Sequence, residues 1–152
     1  MSTSEQDAAS VRAMAERASS HLRLPPPIMD LLGIQLISVG DGESVMEMDA
    51  SERHTNPMGT LHGGVLCDIA DLAMGAACFS TLEEGESFTT LELKINFLRP
   101  VWQATLQAEA HVVKRGRVVG LVECDVFDEQ RRLVARLSST CMTLRGGEAS
   151  GR

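Results

Sequence analysis

The apolar positions of this chain follow two different periods. Residues 64–82 are apolar nearly all round, with only Asp68 and Asp71 interrupting the run from Val65 to Phe79. That pattern predicts one long helix enclosed by protein. After Glu83-Glu84-Gly85 the period falls from 3.6 to 2. Leu91, Leu93, Ile95 and Phe97 alternate with Thr90, Glu92, Lys94 and Asn96. Ala104, Leu106, Ala108, Ala110 and Val112 alternate with Thr105, Gln107, Glu109 and His111, and the pattern continues through Val122, Cys124 and Val126 and through 133–144. Turns fall at Arg99-Pro100, Arg115-Gly116 and 128–131, so the last four strands form an antiparallel meander. Two further strands are expected at 33–39 and 43–48, joined by Gly40-Asp41-Gly42.

One apolar helix and about six strands with one apolar face have a simple solution, in which the sheet curls around the helix. The expected class is α+β. Residues 1–27 read as an N-terminal arm, helical over 4–22, with a linker stiffened by Pro25-Pro26-Pro27. Residues 28–32 read as a helical turn, residues 28–145 as the single domain, and residues 146–152 as a flexible tail.

The helix start carries candidate chemistry. Gly63 and Gly64 have no side chain, so a ligand can come close to their backbone. The first N–H groups of a helix lack intrahelical partners and lie at its positive end. A carbonyl oxygen gaining negative charge is stabilised by such donors. A carboxylate one to two turns further on, in an apolar setting, needs a reason to be there. His62 and Asn56 are polar groups close enough in sequence to orient a substrate.

Asn56, Gly59, His62-Gly63-Gly64 and an acid nine positions after the histidine, Asp71, resemble the signature of hotdog-fold acyl-CoA thioesterases. The nearest likeness is to the phenylacetyl-CoA and 4-hydroxybenzoyl-CoA branch, and it extends over about 31–144. The resemblance implies a hotdog fold and hydrolysis of an acyl-CoA thioester to free acid and CoA. It implies that Asp71 acts as nucleophile or general base, that the Gly63 N–H and Asn56 hold the thioester oxygen, and that His62 shapes the site. It places a Ser or Thr hydroxyl beside the attacking water, a position that Thr90 or Thr89 fills. It implies that Lys114, Arg115 and Arg117 around Gly116 meet the coenzyme A phosphates, with Arg136 and Arg145 as weaker candidates. Gly64 joins the substrate-binding set. The family assembles as dimers or dimers of dimers, homotetramers, with sites shared between chains, so Asn56, His62 and Gly63 are expected to face Asp71 of the partner. Rival readings are a non-catalytic acyl-CoA binding module and a hotdog acyl-thioester dehydratase or hydratase. The hydratase relatives use a different His and acid layout.

Composition narrows the field without redirecting it. The chain has 152 residues and a formal charge of −7, which fits one domain and argues against nucleic acid as a partner. The start lacks the charged and apolar stretches of a signal peptide, and no apolar run approaches a membrane span, so a cytoplasmic location without a membrane partner is expected. Cys67, Cys78, Cys124 and Cys141 read as small core hydrophobes. His54, His62, Cys67, Asp68 and Asp71 lack metal-ligand spacing, so no metal is expected. No cofactor is expected either, because thioester hydrolysis needs only water and coenzyme A is part of the substrate. Four Phe, one Trp and no Tyr point to a pocket lined by aliphatic and Met side chains.

Overall fold

The computed structural model describes residues 3–17 and 24–149. Its elements are α1 (Thr3–Arg17), α2 (Pro27–Leu32), β1 (Ile34–Gly40), β2 (Glu43–Ala50), α3 (Gly63–Ser80), β3 (Ser87–Phe97), β4 (Ala104–Arg115), β5 (Val119–Asp128) and β6 (Leu133–Leu144), with single 3-10 turns at Glu52–His54 and Gly146–Ala149. The expected arm helix ran to 22, and residues 18–23 lie outside the described set. Pro27 does not end a helix. It opens α2, where its missing N–H costs nothing and its fixed φ suits the first turn. Gly33 is the left-handed cap of α2, with φ 70°, and not the first residue of a strand.

The six strands form one antiparallel sheet in the order β1-β2-β4-β5-β6-β3. The hotdog arrangement expected above is the one observed, with α3 crossing the concave face. The chain leaves β2, runs through α3, and re-enters at the far edge as β3, which pairs with β6 and not with β4, so the expected four-strand meander is corrected to the three strands β4-β5-β6. α3 packs chiefly on β2 and β4, then β5. Ile69, Ala70, Ala73, Met74 and Ala77 are almost wholly buried there, against Leu106, Ala108, Val122, Val126 and Leu137. The many alanines let the curled sheet come close to the helix axis. Register shifts at 36/38, 90/92 and 112/114 bend the strands, as bulges do.

Two hydroxyls, Ser44 buried and Ser80 partly so, fasten this packing. Ser44 Oγ on β2 donates to the Ala73 carbonyl of α3 at 2.6 Å. Gly42 N donates to Ser80 Oγ at 2.8 Å, tying the β1–β2 turn to the end of the same helix. The two edges of the sheet differ. α1 lies against β1, whereas among the described residues no strand pairs with the outer edge of β3.

α3 is long and apolar enough by composition to cross a membrane, yet half of it is buried inside this fold. The helix was expected to be enclosed by protein; the single chain alone does not enclose it. The sheet covers one side only. Asp68 and Asp71 are exposed, and Gly64, Leu72 and Gly75 beside them are partly so. Uniform apolarity in the sequence could not show which stripe the sheet would leave bare.

Candidate active site

The loop before α3 is built around Asn56. Its Oδ1 accepts from Met58 N at 2.9 Å and Thr60 N at 3.3 Å, and its Nδ2 donates to Thr60 Oγ1 at 2.8 Å. Gly59 takes φ 80° within this turn, a conformation glycine adopts without strain. Asn56 thus spends most of its amide capacity on shaping the loop, and one Nδ2 hydrogen is left over. Two backbone bonds then aim the chain into the helix: His62 N to His54 O at 2.8 Å, and Leu61 N to Val101 O at 2.7 Å.

His62 is the N-cap of α3. Its Nδ1 accepts the Gly64 N–H at 2.9 Å, which places the proton of the neutral ring on Nε2. His62 thus acts as a structural cap within the chain. The Gly63 N–H stands at the first helical position, with no acceptor among the described residues. The space beside both glycines is already filled from within. A Cβ on Gly64 would lie 2.9 Å from His62 Nδ1, and one on Gly63 would lie 2.8 Å from Phe97 Cζ. A side chain at either position would therefore meet Phe97 or His62.

Asp71 lies two turns into the helix, on the bare stripe. It is exposed in the single chain, which corrects the picture of an acid sealed in the core. Its carboxyl pKa is pushed above the ordinary value, first by partial burial, with a hydrogen bond from Thr90 pulling it back and the Asp68 charge adding to the rise. Of the two candidate hydroxyls, Thr90 is the one that acts on the Asp71 carboxyl, favouring its charged form. Thr90 pairs with Cys141 of β6, and the register shifts immediately after it, so a bulge at Leu91 sits beside the acid. Ser139, fully buried, donates to the Glu92 carbonyl at 2.9 Å and secures this bulge. Nothing in the hydrophobic alternation signalled the bulge or the role of Ser139. Asp68 is exposed, and partial burial raises its pKa as well.

Asp71 and Gly63 are eight residues apart, about 12 Å along the helix at 1.5 Å per residue. They do not meet in one chain. The cationic turn is further still, near the other end of α3, and the structure divides it. Arg115 is held in an ion pair by Glu86, whose second oxygen takes Arg145 at 2.6 Å. The Glu86 side chain is only 7% exposed. The Glu83 N–H, then Arg115 and Arg145, hold its carboxyl below the usual range despite burial. Lys114 and Arg117 are exposed and make no ion pair among the described residues. Gly116 is required by the hairpin itself, because a Cβ there would lie 2.3 Å from the Val119 carbonyl oxygen. Arg136 is paired with Asp125. Three of the four cysteines are buried as expected, and Cys67 is partly exposed. Among the described residues no group of three or more His, Cys, Asp or Glu is placed to hold a metal ion.

With this geometry in view, comparison with known proteins gives the class. Residues 58–135 match the thioesterase superfamily, and the chain belongs to that family of thioester hydrolases. It is 33% identical over 105 residues to the acyl-coenzyme A thioesterase PaaI of Escherichia coli, a match covering 68% of this chain and 73% of that one. It is 27% identical over 107 residues to a 1,4-dihydroxy-2-naphthoyl-CoA hydrolase of Listeria monocytogenes, covering 70% and 87%. The solved structure of E. coli PaaI superposes with a TM-score of 0.77 at 28% identity, over 95% of this chain and 98% of that one.

Proposed function

We propose that this protein hydrolyses acyl-CoA thioesters at a site shared between two copies of the chain. The observation that carries the reading is the division of the machinery: an unpartnered Gly63 N–H at the helix start, and an exposed Asp71 backed by Thr90 about 12 Å away. One thioester cannot touch both in one chain. Two copies joined at the bare β3 edge bring the helix start of one toward Asp71 of the other, and an open edge of 11 residues is a surface that association would protect. The names of the relatives support coenzyme A as the leaving group.

In this reading the thioester oxygen lies on the Gly63 N–H, with the remaining Asn56 N–H and the His62 ring bordering it. Asp71 attacks the carbonyl or draws a proton from water, and the Thr90 hydroxyl holds the carboxylate or that water in line. Lys114 and Arg117 are the cations free for coenzyme A phosphates, while Arg115 holds the hairpin through Glu86. Water is the only other reactant, so no cofactor is assigned. The assembly is a homodimer or a dimer of dimers acting in the cytoplasm.

Thiol release from a panel of acyl-CoA substrates tests the activity, and no turnover of any member would refute it. Light scattering tests the assembly, since a monomer at assay concentration leaves both half-sites incomplete. Replacing Lys114 and Arg117 together by Ala is expected to raise KM by roughly 10-fold with kcat little changed, because phosphate contacts persist unaltered from ground to transition state. An unchanged KM would move the nucleotide to another surface.

A further inference from the structure

The bareness of Gly63 has an occupant. The ring of Phe97 lies against it so closely that a Cβ on Gly63 would fall 2.8 Å from Cζ and 2.9 Å from Cε1. Real Cβ atoms do not approach carbon that closely, so any side chain at this position displaces the ring. Yet Phe97 is 58% exposed, as are Leu98 at 54% and Trp102 at 59%. An aromatic ring half in solvent, pinned on the one helix-start glycine whose N–H is free, is not placed there for core packing.

The ring is held from a rigid element. Phe97 ends β3 in register with Ala135. The next two amides, Leu98 N and Arg99 N, both donate to the Val134 carbonyl, at 2.9 and 3.1 Å. The Leu61 N to Val101 O bond at 2.7 Å ties the segment after Phe97 to the loop that enters α3. Phe97 and Gly63 therefore sit on two segments clamped to one another, and a side chain so anchored keeps its place during a reaction.

We propose that Phe97 is the positioning residue of the oxyanion site: its exposed ring face forms an apolar wall over the Gly63 N–H, and the thioester carbonyl lies against that wall. This rests on the reading of Gly63 as the oxyanion donor. The wall does two things. It keeps water off the donor, and an N–H in a drier setting stabilises developing charge more strongly. It also limits the carbonyl to one direction of approach, with the ring along the flank of the thioester group. Gly63 is then glycine on behalf of Phe97 and not on behalf of the substrate.

The two explanations of Gly63 separate in a double-mutant cycle of Gly63→Ala and Phe97→Ala, assayed with a short and a medium-chain acyl-CoA. Phe97→Ala is expected to lower kcat by roughly 10-fold, alike for both substrates, with KM moving less than about 3-fold, since the contact is made at the reacting group. Gly63→Ala is expected to cost roughly 30-fold by pushing the ring away while leaving the N–H in place. In the double variant the ring is already gone, so the loss is expected to stay near that of Phe97→Ala alone, a strong departure from the additivity of independent sites. Phe97→Leu, which keeps an apolar wall, is expected to recover most of kcat. A double variant as impaired as the product of the singles, roughly 300-fold, overturns the proposal, because Gly63 would then be needed bare for the substrate itself. So does a Phe97→Ala effect confined to KM or to one acyl length. Asp71→Asn run alongside separates the levels. If it is inactive while the cycle is additive, only the role of Phe97 fails; if it stays active, the site itself is misplaced.

Discussion

The two faces of α3 are built from nearly the same kind of residue and have opposite work. On the side toward the sheet, Ile69, Ala70, Ala73, Met74 and Ala77 are buried against β2, β4 and β5. On the other side, Gly64, Asp68, Asp71, Leu72 and Gly75 are left partly or fully uncovered by the chain's own structure. The covered face holds the fold together. The bare face carries the acid and, in the proposed assembly, the acyl slot. One helix thus provides a rigid, packed support on one side and reactive groups on the other, with Ser44 fixing its rotation by a bond to the Ala73 carbonyl. A group whose neighbours cannot shift is a group whose pKa and direction can be set.

The comparison breaks most visibly if the two faces are not separable in experiment. Met74 is 1% exposed. Met74→Ala is expected to lower unfolding free energy by about 2–5 kcal/mol, the range for truncating a buried side chain and leaving a cavity. The fraction that stays folded is expected to hydrolyse substrate at close to the parent rate. Denaturant melts paired with kcat on the folded protein check this. A large loss of kcat without loss of stability would mean that the buried face shares in the chemistry.

Asp71→Asn has the opposite signature. It keeps the volume and removes the ability to attack or to take a proton. The expected loss in kcat is at least ~100-fold, the low end for a positioned acid–base group, with folding intact. Its effect on stability also has a predicted sign. Burial, opposed by Thr90 and reinforced by Asp68, raises the Asp71 pKa above its unfolded value of about 3.8. The folded state therefore holds this proton more tightly than the unfolded one. The stability associated with it is full below the unfolded pKa and falls as pH rises through the folded one. Asp71→Asn is expected to flatten that part of the stability–pH curve, and melts across the acid range read it directly. A variant that still turns over normally, or a curve that steepens, removes Asp71 from the centre of the mechanism.

Much of this was legible from period alone, and the losses have physical causes. The switch from 3.6 to 2 marked the helix and the strands, because a curled sheet over one helix is the simplest burial for that pattern, but it set β3 beside β4 where the structure pairs it with β6. The Asn56 to Asp71 motif pointed to the family. Four features escaped. The bare stripe of α3 was hidden because Leu72, Val65 and Gly75 are as apolar as the residues beneath the sheet. The bulge at Leu91, which sets Thr90 rather than Thr89 toward Asp71, leaves no mark in an alternation that runs smoothly from Leu91 to Phe97. The meaning of Gly63 depends on the Phe97 ring far along the chain, whereas Gly64 and Gly116 answer to near neighbours, His62 and the Val119 carbonyl. The pairing of Arg115 with Glu86 was equally invisible, since 29 residues separate them.

The smallest expected effect is the one that tests how the bare face is tuned. Asp68 lies one turn before Asp71 on the same stripe, exposed, and its charge helps to raise the Asp71 pKa. Asp68→Asn removes that charge and leaves burial and the Thr90 hydrogen bond in place. At a pH where Asp71 is fully ionised, kcat/KM is expected to stay within ~10-fold of the parent, since Asp68 makes no contact with Asp71 that the chemistry requires. On the acid side the profile is expected to move. With the neighbouring negative charge gone, the Asp71 carboxylate forms more readily, so the acid limb shifts to lower pH. The direction is fixed by Coulomb's law, and added salt is expected to shrink the difference between parent and variant because both carboxylates are near solvent. An acid limb that moves upward, or a plateau lost by more than ~100-fold, would make Asp68 the acid that does the chemistry and Asp71 its neighbour.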